Sequence, residues 1–436
     1  MASRQLPAAR GAADAPPCEY YGELSLSGEL LPVRGLTLAA AHAAAEGHEI
    51  IVPWANVRDT RVVRHGRARG ARSLLEVCAQ LTGKSSGPAL RGVAGSEEPR
   101  ALAPAAALDL ADVHGQELPK RALLLAAAGS HSLLMSGPPG SGKTMLAQRL
   151  PALLPALSPA EALEVATIAS VSSADAGAPG FLTRPFRAPH HTASANAMVG
   201  GGPQARPGEV SLAHRGVLFL DELPEFGRRV LESLREPLEH RTVVVSRARV
   251  QAQYPAAFQL VAAMNPCPCG YLGDASGTCR CTPAQVDAYR ARISGPLLDR
   301  IDLFVDVPRV PLADIAGLPG AARAPDARPL PALSTRDAAA AVARARQRQM
   351  RRNGCLNAEL SQSRLQQLAR PSQAGLELLE RVFEHLGLTA RSYHRVLRVA
   401  LTIADLEQSD VIGPAHIAEA VQLRRAAGAF RSAPAP

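Results

Sequence analysis

A glycine-rich loop between a predicted strand and a predicted helix constrains the fold of this chain most. The loop follows the apolar residues 133–135 and precedes a helix-like segment at residues 145–150. Such a loop turns backbone N–H groups toward a polyphosphate, and the following helix adds the positive end of its dipole. The predicted nucleotide-binding residues are Gly137, Pro138, Pro139, Gly140, Ser141, Gly142, Lys143 and Thr144. We expect Lys143 to reach the β- and γ-phosphates and Thr144 to hold Mg²⁺.

Two carboxylates follow a second apolar run. Residues 217–220 predict a buried strand, and Asp221 and Glu222 come directly after it. Ligands of open α/β sheets bind at the carboxyl ends of strands, so we interpret Asp221 as a Mg²⁺ ligand and Glu222 as the general base that polarises the attacking water. The alternative is an ordinary solvated strand end. The glycine-rich loop earlier in the same region favours the functional interpretation.

Three further polar residues are candidates for the same chemistry. Asn265 follows the strand predicted at 259–263 and is placed to orient the attacking water, although it also suits a plain turn. Arg300 precedes the strand predicted at 303–307, from which an arginine can reach the γ-phosphate bound by a neighbouring subunit. Arg391 begins a predicted helix and is expected to touch the nucleotide in cis. Both arginines also fit ordinary surface charges.

Composition limits the class of protein only broadly. The chain has 436 residues, which suggests two or three domains. Its 48 basic and 39 acidic residues give a net charge of +9, which suits a polyanion such as nucleic acid but also plain solubility. We predict a cytoplasmic protein, because we find neither a long apolar run nor a signal-peptide start. Seven cysteines are an odd number and too few for a disulfide scaffold.

The order of predicted elements indicates an α/β fold in several parts. Short apolar strands alternate with helices across residues 93–310, as a parallel sheet requires. Residues 1–92 predict a smaller α/β domain that includes a hairpin across residues 20–33. Residues 311–333 form a linker rich in Pro, Ala and Gly, and residues 334–436 are predicted to be helical. Helix starts are predicted at Ser334, Ser372, Thr389 and Pro414.

A series of short motifs occurs in one order along the chain. They occupy residues 112–116, 186–191, 207–214, 216–222, 265–270 and 294–302. Together they resemble the magnesium-chelatase-like AAA+ ATPases, specifically the YifB/ComM group, over nearly the whole chain. The resemblance implies that Lys143 and Thr144 are Walker A residues and that Asp221 and Glu222 are Walker B residues. It further implies that Asn265 is sensor 1, that Arg300 is the trans finger, that Arg391 is sensor 2 and that residues 112–116 lie near the adenine.

The same resemblance implies an architecture and an activity. The architecture is a AAA+ P-loop core with a C-terminal helical lid and an N-terminal Lon-protease-like domain. Residues before Gly83 resemble only the second half of that domain, so we expect a partial, shortened version. Family members form rings, usually hexamers, and ComM-type proteins are ATP-driven DNA helicases that promote branch migration during natural transformation. Two alternatives stay open: a chelatase-type or protein-remodelling ATPase that acts on a protein partner, and a non-enzymatic nucleotide-binding switch.

A predicted hairpin is the main candidate for DNA contact. Residues 241–246 and 250–254 flank Arg247 and Arg249, which are placed to grip phosphates without reading bases. An exposed hairpin with solubilising charges explains the same pattern equally well. The arginines of residues 344–352 are interpreted as a solvated helix face. Further pore candidates, which are otherwise structural, are Arg187, His190 and His191.

Four of the cysteines are clustered in two C-x-C pairs separated by nine residues. These are Cys267, Cys269, Cys279 and Cys281. Four thiolates on a short loop can surround Zn²⁺ tetrahedrally, and a reducing cytosol disfavours disulfides. The spacing is tighter than in common zinc knuckles. The sequence therefore leaves two interpretations, a structural zinc site and incidental thiols.

Overall fold

The computed structural model divides the chain into two compact units. One consists of Met1–Ala105 and Ala156–Thr183, and the other of Ala106–Pro155 and Arg184–Pro436. The structure describes residues 17–60, 63, 66–81, 91–94, 108–172, 182–247, 250–274, 277–310, 333–386 and 389–429.

Short strands and helices alternate through both units. The strands are β1 (Cys18–Tyr20), β2 (Glu23–Leu24), β3 (Leu30–Leu31), β4 (Glu49–Pro53), β5 (Arg67–Ala71), β6 (Arg91–Ala94), β7 (Leu133–Ser136), β8 (Phe186–Arg187), β9 (Gly200–Gly201), β10 (Arg206–Pro207), β11 (Val217–Leu220), β12 (Thr242–Arg247), β13 (Val250–Pro255), β14 (Gln259–Met264) and β15 (Leu303–Asp306). The helices are α1 (Leu36–Ala45), α2 (Val57–Thr60), α3 (Leu74–Leu81), α4 (Glu117–Gly129), α5 (Lys143–Leu153), α6 (Pro159–Val171), α7 (Ala195–Val199), α8 (Glu209–Leu212), α9 (Arg228–Ser233), α10 (Arg235–His240), α11 (Pro283–Arg290), α12 (Gly295–Leu298), α13 (Thr335–Asn353), α14 (Gln362–Leu368), α15 (Gln373–Leu386), α16 (Ala390–Leu406) and α17 (Pro414–Ala429). Within the part of the chain that the structure describes, none of these helices is both long enough and apolar enough to cross a membrane.

The first unit contains a four-stranded sheet in the order β1-β4-β5-β6. Strands β1, β4 and β5 are parallel, and β6 is antiparallel to β5. Leu36 of α1 packs with Ile50 and Val52, which share one face of β4 because side chains alternate along a strand. Leu163 of α6 packs against the same core. Residues 156–183 therefore belong to this unit, although the order of predicted elements assigns them to the domain at residues 93–310. The predicted hairpin is present as β2 and β3.

A five-stranded parallel sheet lies at the centre of the second unit, in the order β15-β7-β14-β11-β8. Strands β7, β11 and β14 are entirely buried, which explains their uninterrupted apolar sequences. We call the edge formed by Gly137, Asp221 and Asn265, which follow these strands, the carboxyl edge. We call the opposite edge, with Ser132 and Asp302, the amino edge. This sheet confirms the predicted α/β fold.

Helices that follow the sheet pack against it and complete the core of the second unit. Helices α13 and α16 both contact α4, and residues of all three share one buried cluster with β7 and β15. Ser334 accepts a hydrogen bond from the backbone of Asp337, and Thr389 accepts one from Ser392, so both predicted N-caps are present. The helical C-terminal region is confirmed. Most of the predicted linker, residues 311–332, lies outside the described residues.

An antiparallel ribbon extends from the second unit between β11 and β14 in the chain. Strands β12 and β13 pair from Thr242 opposite Pro255 to Arg247 opposite Val250. The predicted hairpin is therefore present. Arg247 ends β12, whereas Arg249 lies outside the described residues.

Candidate nucleotide-binding and metal sites

The glycine-rich loop lies at the carboxyl edge, between β7 and α5. Gly142 has a φ angle of 91°, a left-handed conformation that L side chains rarely adopt, and it directly precedes the first residue of α5. The first amide groups of a helix have no partner within the helix, so they can bind an anion at this end. The strand–loop–helix arrangement that the sequence predicts is present.

Lys143 is folded back onto its own loop. Its Nζ donates to the carbonyl oxygens of Gly137 and Pro138 at 2.7 and 2.8 Å, and lies 3.3 Å from Oδ1 of Asn265. Burial lowers the pKa of Lys143, and the two carboxylates after β11 oppose that shift. Lys143 and Asn265, which follow β7 and β14 in the chain, therefore meet at one point, as a shared phosphate site requires.

Thr144 and Asp221 form the candidate magnesium site. Thr144 Oγ1 donates to Asp221 Oδ2 at 2.8 Å, although these residues follow β7 and β11, which are separated in the sheet by β14. Hydroxyl and carboxylate oxygens are ligands that Mg²⁺ prefers. The donor set thus fits the ion, and the lysine and both metal candidates lie at the same edge.

Glu222 lies next to Asp221 in a left-handed conformation, with φ 52° and ψ 47°. Its side chain is half-exposed, and Oε2 lies 3.1 Å from Nδ1 of His191. The ring of His191 lies tilted against that of His190, with centroids 4.1 Å apart, and meets the ring of Phe226 edge-on. His191, interpreted from the sequence as a pore or structural residue, therefore contacts the proposed base.

A cavity of about 510 Å³ opens beside the glycine-rich loop. Residues 112–114, Gln116, residues 139–142 and Arg309 line it. Gln116 fixes one wall, because its Nε2 donates to the carbonyl oxygens of Ser141 at 3.3 Å and of Pro308 at 2.5 Å. A volume of this size suits a nucleotide-sized ligand. The residues expected near the adenine thus line a cavity that also includes the phosphate loop.

The four clustered cysteines lie on one loop directly after Asn265. We call residues 267–274 and 277–281 the cysteine loop. Its four sulfur atoms lie within 4.8 Å of one another, and Cys267 to Cys269, Cys267 to Cys279 and Cys269 to Cys279 are 3.4, 3.8 and 3.6 Å apart. Zn–S bonds of ~2.3 Å in a tetrahedron place sulfur atoms ~3.8 Å apart, whereas a disulfide needs ~2.05 Å.

Backbone donors also favour a thiolate in this cluster. Amide N–H groups of Tyr271 and Arg280 donate to Cys269 and lower its pKa to about 6. A deprotonated sulfur is the form that binds a metal. A backbone hydrogen bond lowers the pKa of Cys279 and of Cys281 as well, but burial and the neighbouring thiols outweigh it and raise both. The sulfur separations, rather than the pKa values, therefore make the cluster suited to a zinc ion.

Asp302 organises a different kind of polar cluster at the amino edge. Its carboxylate accepts from the backbone and hydroxyl of Ser132 at 3.3 Å, pairs with Arg395 and lies 3.4 Å from His131 Nδ1. Burial raises the pKa of Asp302, but Arg395, His131 and Arg424 outweigh it and hold that pKa well below its usual range. Asp302 thus joins the sheet to helices α16 and α17 as a buried carboxylate.

Arg300 also lies at the amino edge and not beside Lys143. Its guanidinium pairs with Glu239 and donates to the carbonyl oxygen of Pro296 at 2.7 Å. The hydroxyl of Ser132, the residue directly before β7, donates to the carbonyl oxygen of Arg300 at 2.8 Å. The four residues of β7 separate this point from the glycine-rich loop by about 13 Å. Arg300 therefore does not belong to the phosphate site of its own chain.

Arg391 lies on the same side of the sheet as Arg300. Arg391 is exposed in the first turn of α16, one turn before Arg395, which pairs with Asp302. Thr389, two residues earlier, lines a cavity with Ser294 and Asp299, which flank helix α12. The pairing of Arg395 with Asp302 holds the first turn of α16 at the amino edge, and the contact of Arg391 with the nucleotide in cis stays a prediction.

Comparison with known proteins agrees with this architecture. The family model "Magnesium chelatase, subunit ChlI" matches residues 109–315, and "Magnesium chelatase, subunit ChlI C-terminal" matches residues 332–424. The parallel sheet, the glycine-rich loop and the helical C-terminal region thus define a magnesium-chelatase-like AAA+ protein.

Similarity to individual proteins identifies the family more closely. The chain is 45% identical over 410 residues to Uncharacterized protein YifB of Escherichia coli (strain K12), which covers 93% of this chain and 77% of that protein. It is 41% identical over 407 residues to Competence protein ComM of Haemophilus influenzae, with coverage of 93% and 77%. An uncharacterized protein of Mycobacterium tuberculosis is 42% identical over 407 residues, with coverage of 93% and 78%. The chain belongs to the YifB/ComM family.

The structure adds two residues, Arg309 and His191, that the sequence did not assign to the nucleotide site. Arg309 lines the cavity, and its position could have been predicted, because it comes shortly after β15 at the carboxyl edge, where Asp221 follows β11. His191 carries no comparable signal, because its contact with Glu222 depends on how residues 188–194 fold.

Proposed function

We propose that the chain hydrolyses ATP with Mg²⁺ and uses the energy to move on DNA as a homo-hexameric ring in the cytoplasm. The observation that carries the ATPase proposal is the meeting of Lys143, Asn265, Thr144 and Asp221 at one edge of the sheet. Such convergence is what phosphoryl transfer needs, because catalysis of this reaction consists mainly of positioning and charge neutralisation.

Each residue has a defined part in this mechanism. Lys143 exchanges its loop carbonyls for phosphate oxygens, and Thr144 and Asp221 hold Mg²⁺, which supplies charge neutralisation when bound. Glu222 accepts a proton from the attacking water, and Asn265 orients that water. His191 holds the carboxylate of Glu222 at 3.1 Å until the water is in place.

A neighbouring subunit completes the site. Arg300 lies at the edge of the sheet opposite Lys143, which supports its role in trans. An arginine from a neighbour stabilises the charge of the transition state on the γ-phosphoryl group. A ring is the closed assembly in which every subunit both offers and receives such a residue.

Three observations support DNA as the substrate. One relative is named as a competence protein, the net charge is +9, and an antiparallel ribbon ends in Arg247 at its described tip. Arginines on such an arm hold phosphates without base recognition, as a translocase requires. Branch migration by a ComM-like helicase is the activity that this combination favours.

The test is the salt dependence of DNA binding and the DNA response of the ATPase rate. We expect forked DNA to raise the ATPase rate, and Arg247→Ala with Arg249→Ala to reduce the slope of log affinity against log salt by about 1 to 2. The matched control is Arg344→Ala with Arg351→Ala, which removes the same charge from an exposed face of α13. If only the control variant reduces the slope of log affinity against log salt, the DNA contact belongs to α13 and not to the ribbon.

The alternative is a chelatase-type ATPase that remodels a protein partner, which the names of both matching family models favour. Its signature is an ATPase rate that forked and single-stranded DNA leave unchanged and that a protein partner raises. Binding of ATP without any turnover would instead indicate a nucleotide-binding switch.

The cysteine loop is proposed to hold one structural Zn²⁺ per chain. The sulfur separations of 3.4 to 3.8 Å support this assignment. Metal analysis of protein purified without added zinc is expected to give one equivalent, and Cys279→Ser with Cys281→Ser is expected to abolish it. Cys78→Ser, which removes an exposed cysteine outside the loop, is the control. Metal-free protein with four reactive loop thiols would refute the assignment.

A further inference from the structure

We propose that the cysteine loop supports the nucleotide site from behind, where Gly270 packs against Pro139, and that Arg309 is a nucleotide-binding residue that this loop holds in place. Metal binding by the cysteines and nucleotide binding by the glycine-rich loop are then coupled. The inference rests on the nucleotide site and the zinc site of the proposed function, and it adds a connection between them.

The first connection is direct backbone packing between the two loops. Gly270 directly follows Cys269, and its φ angle is 86°. A Cβ atom built on Gly270 would lie 2.7 Å from Cδ of Pro139 and 3.7 Å from Cγ of Asn265. Side chains do not tolerate the first of these distances, so the backbone at Gly270 lies directly against the phosphate loop. A shift of Cys269 is therefore transmitted to Pro139.

The second connection runs through Arg309. Its guanidinium lies 5.2 Å from the ring centroid of Tyr271, and its Nε lies 3.7 Å from Oδ2 of Asp274. Both partners belong to the cysteine loop, between its two cysteine pairs. The same arginine lines the cavity beside Pro139. A planar cation at this position can bind phosphate oxygens or stack on a base, so it adds a nucleotide contact whose position the cysteine loop sets.

A metal held by the four cysteines would be the main constraint on the cysteine loop. The described residues of the cysteine loop contain neither helix nor strand. A metal that joins the two cysteine pairs would therefore fix the conformation of this loop. If metal raises nucleotide affinity by some factor, nucleotide must raise metal affinity by the same factor. The coupling can therefore be measured in two ways, as the effect of metal on nucleotide affinity and as the effect of nucleotide on metal affinity.

The sharpest test compares two glycines of the same loop. Gly273 has a φ angle of 77°, similar to Gly270, but a Cβ atom there meets nothing within 4 Å. Both alanine variants therefore carry a similar backbone cost, and only Gly270→Ala pushes against Pro139. We expect Gly270→Ala to weaken binding of a fluorescent ADP analogue by about fivefold or more at unchanged zinc content, and Gly273→Ala to bind as the unmodified chain does. Equal affinity in both variants would overturn the packing argument.

Arg309 has a matched control elsewhere in the unit. Arg292 also lies over a tyrosine ring, that of Tyr289 at 5.7 Å, and pairs with Glu225 at 2.8 Å. We expect Arg309→Ala to weaken ADP binding several-fold, Arg309→Lys to recover part of it, and Arg292→Ala to change nothing. The assignment of Arg309 fails if its alanine variant binds ADP with unchanged affinity.

Zinc release gives the reciprocal measurement and separates the possible failures. ADP is expected to slow zinc loss to a chelator in the unmodified chain, but not in Lys143→Ala. Zinc that leaves at the same rate with ADP bound would refute the coupling alone. A chain purified without zinc would refute the zinc site and this inference together, and a chain that binds no ADP would refute the nucleotide site.

Discussion

The two edges of the five-stranded sheet use charged residues in opposite ways. At the carboxyl edge, Lys143 and Thr144 make hydrogen bonds to groups that a nucleotide and Mg²⁺ can replace. At the amino edge, the carboxylate of Asp302 is buried between Ser132, Arg395 and His131, and it joins the sheet to the C-terminal helices. The comparison shows that burial and pairing alone do not identify a functional charge; what matters is whether its partners are exchangeable.

Arg300 is the exception at the amino edge, since its charge pairs with a half-exposed Glu239 and not with the buried cluster. This position suits an arginine that contacts the phosphate site of a second copy of the chain. The two edges would then be functionally separate within one chain and joined between neighbouring chains.

The largest effect is expected for Arg300→Ala. Loss of an arginine that acts in trans is expected to lower kcat for ATP by about 10³–10⁵ while ADP affinity stays unchanged, because the chain's own phosphate site is intact. Steady-state ATPase assays and ADP titrations measure the two quantities. Arg235→Ala, which removes an arginine paired with Glu232, is the control. Unchanged turnover in Arg300→Ala would leave the amino edge purely structural.

Glu222→Gln tests the carboxyl edge itself. Removal of the general base is expected to lower the hydrolysis rate by about 10²–10⁴ while ATP binding persists. Single-turnover hydrolysis and ATP binding are the readouts. Glu225→Gln changes a nearby carboxylate that pairs with Arg292, and it should hydrolyse ATP normally. Rapid hydrolysis by Glu222→Gln would exclude it as the base.

Asp302→Asn tests the structural role of the amino edge. Loss of a buried, paired carboxylate is expected to cost about 3–5 kcal/mol of stability. The pKa of Asp302 is lower in the folded chain, so its contribution is present above an unfolded pKa of ~3.9 and is lost as the pH falls toward the folded pKa. Denaturation midpoints measured from pH 7 to 3 should therefore fall less steeply in Asp302→Asn. Parallel pH curves would contradict this assignment.

The smallest signal comes from mixing two inactive variants. Arg300→Ala keeps its phosphate loop, and Lys143→Ala keeps its arginine, so mixed rings contain some complete sites. Random mixing in equal amounts makes about a quarter of the interfaces complete, and we expect a corresponding recovery of ATPase activity. Each variant alone is the control. No recovery, in mixed oligomers verified by differential tagging, would argue against sites shared between subunits.

Local sequence predicted the parts of the site that depend on local structure. Asp221 directly follows the buried strand β11, and Lys143 ends the glycine-rich loop that follows the buried strand β7, so both positions could be assigned before the sheet order was known. The α/β fold class, four of the five strands of the sheet and the N-caps at Ser334 and Thr389 follow from the same short-range signals, whereas the two-residue edge strand β8 was not predicted.

Long-range packing determined what the sequence could not predict. The place of Arg391 depends on the docking of α16, which contacts between Arg395 and Asp302 and between Thr402 and His131 fix across large sequence separations. The assignment of residues 156–183 to the first unit depends on the packing of α6 against α1. Neither contact leaves a periodic pattern in the chain.

The carbonyl partners of Lys143 have a consequence for selectivity. Its ammonium already has oxygen neighbours at 2.7 and 2.8 Å, so an incoming ligand must replace dipoles with formal negative charge to gain anything. An uncharged nucleoside offers no such charge and would not displace these carbonyl oxygens, whereas the phosphates of the proposed nucleotide would. Selectivity at this loop would then begin with the phosphate tail, before any other part of the ligand is recognised.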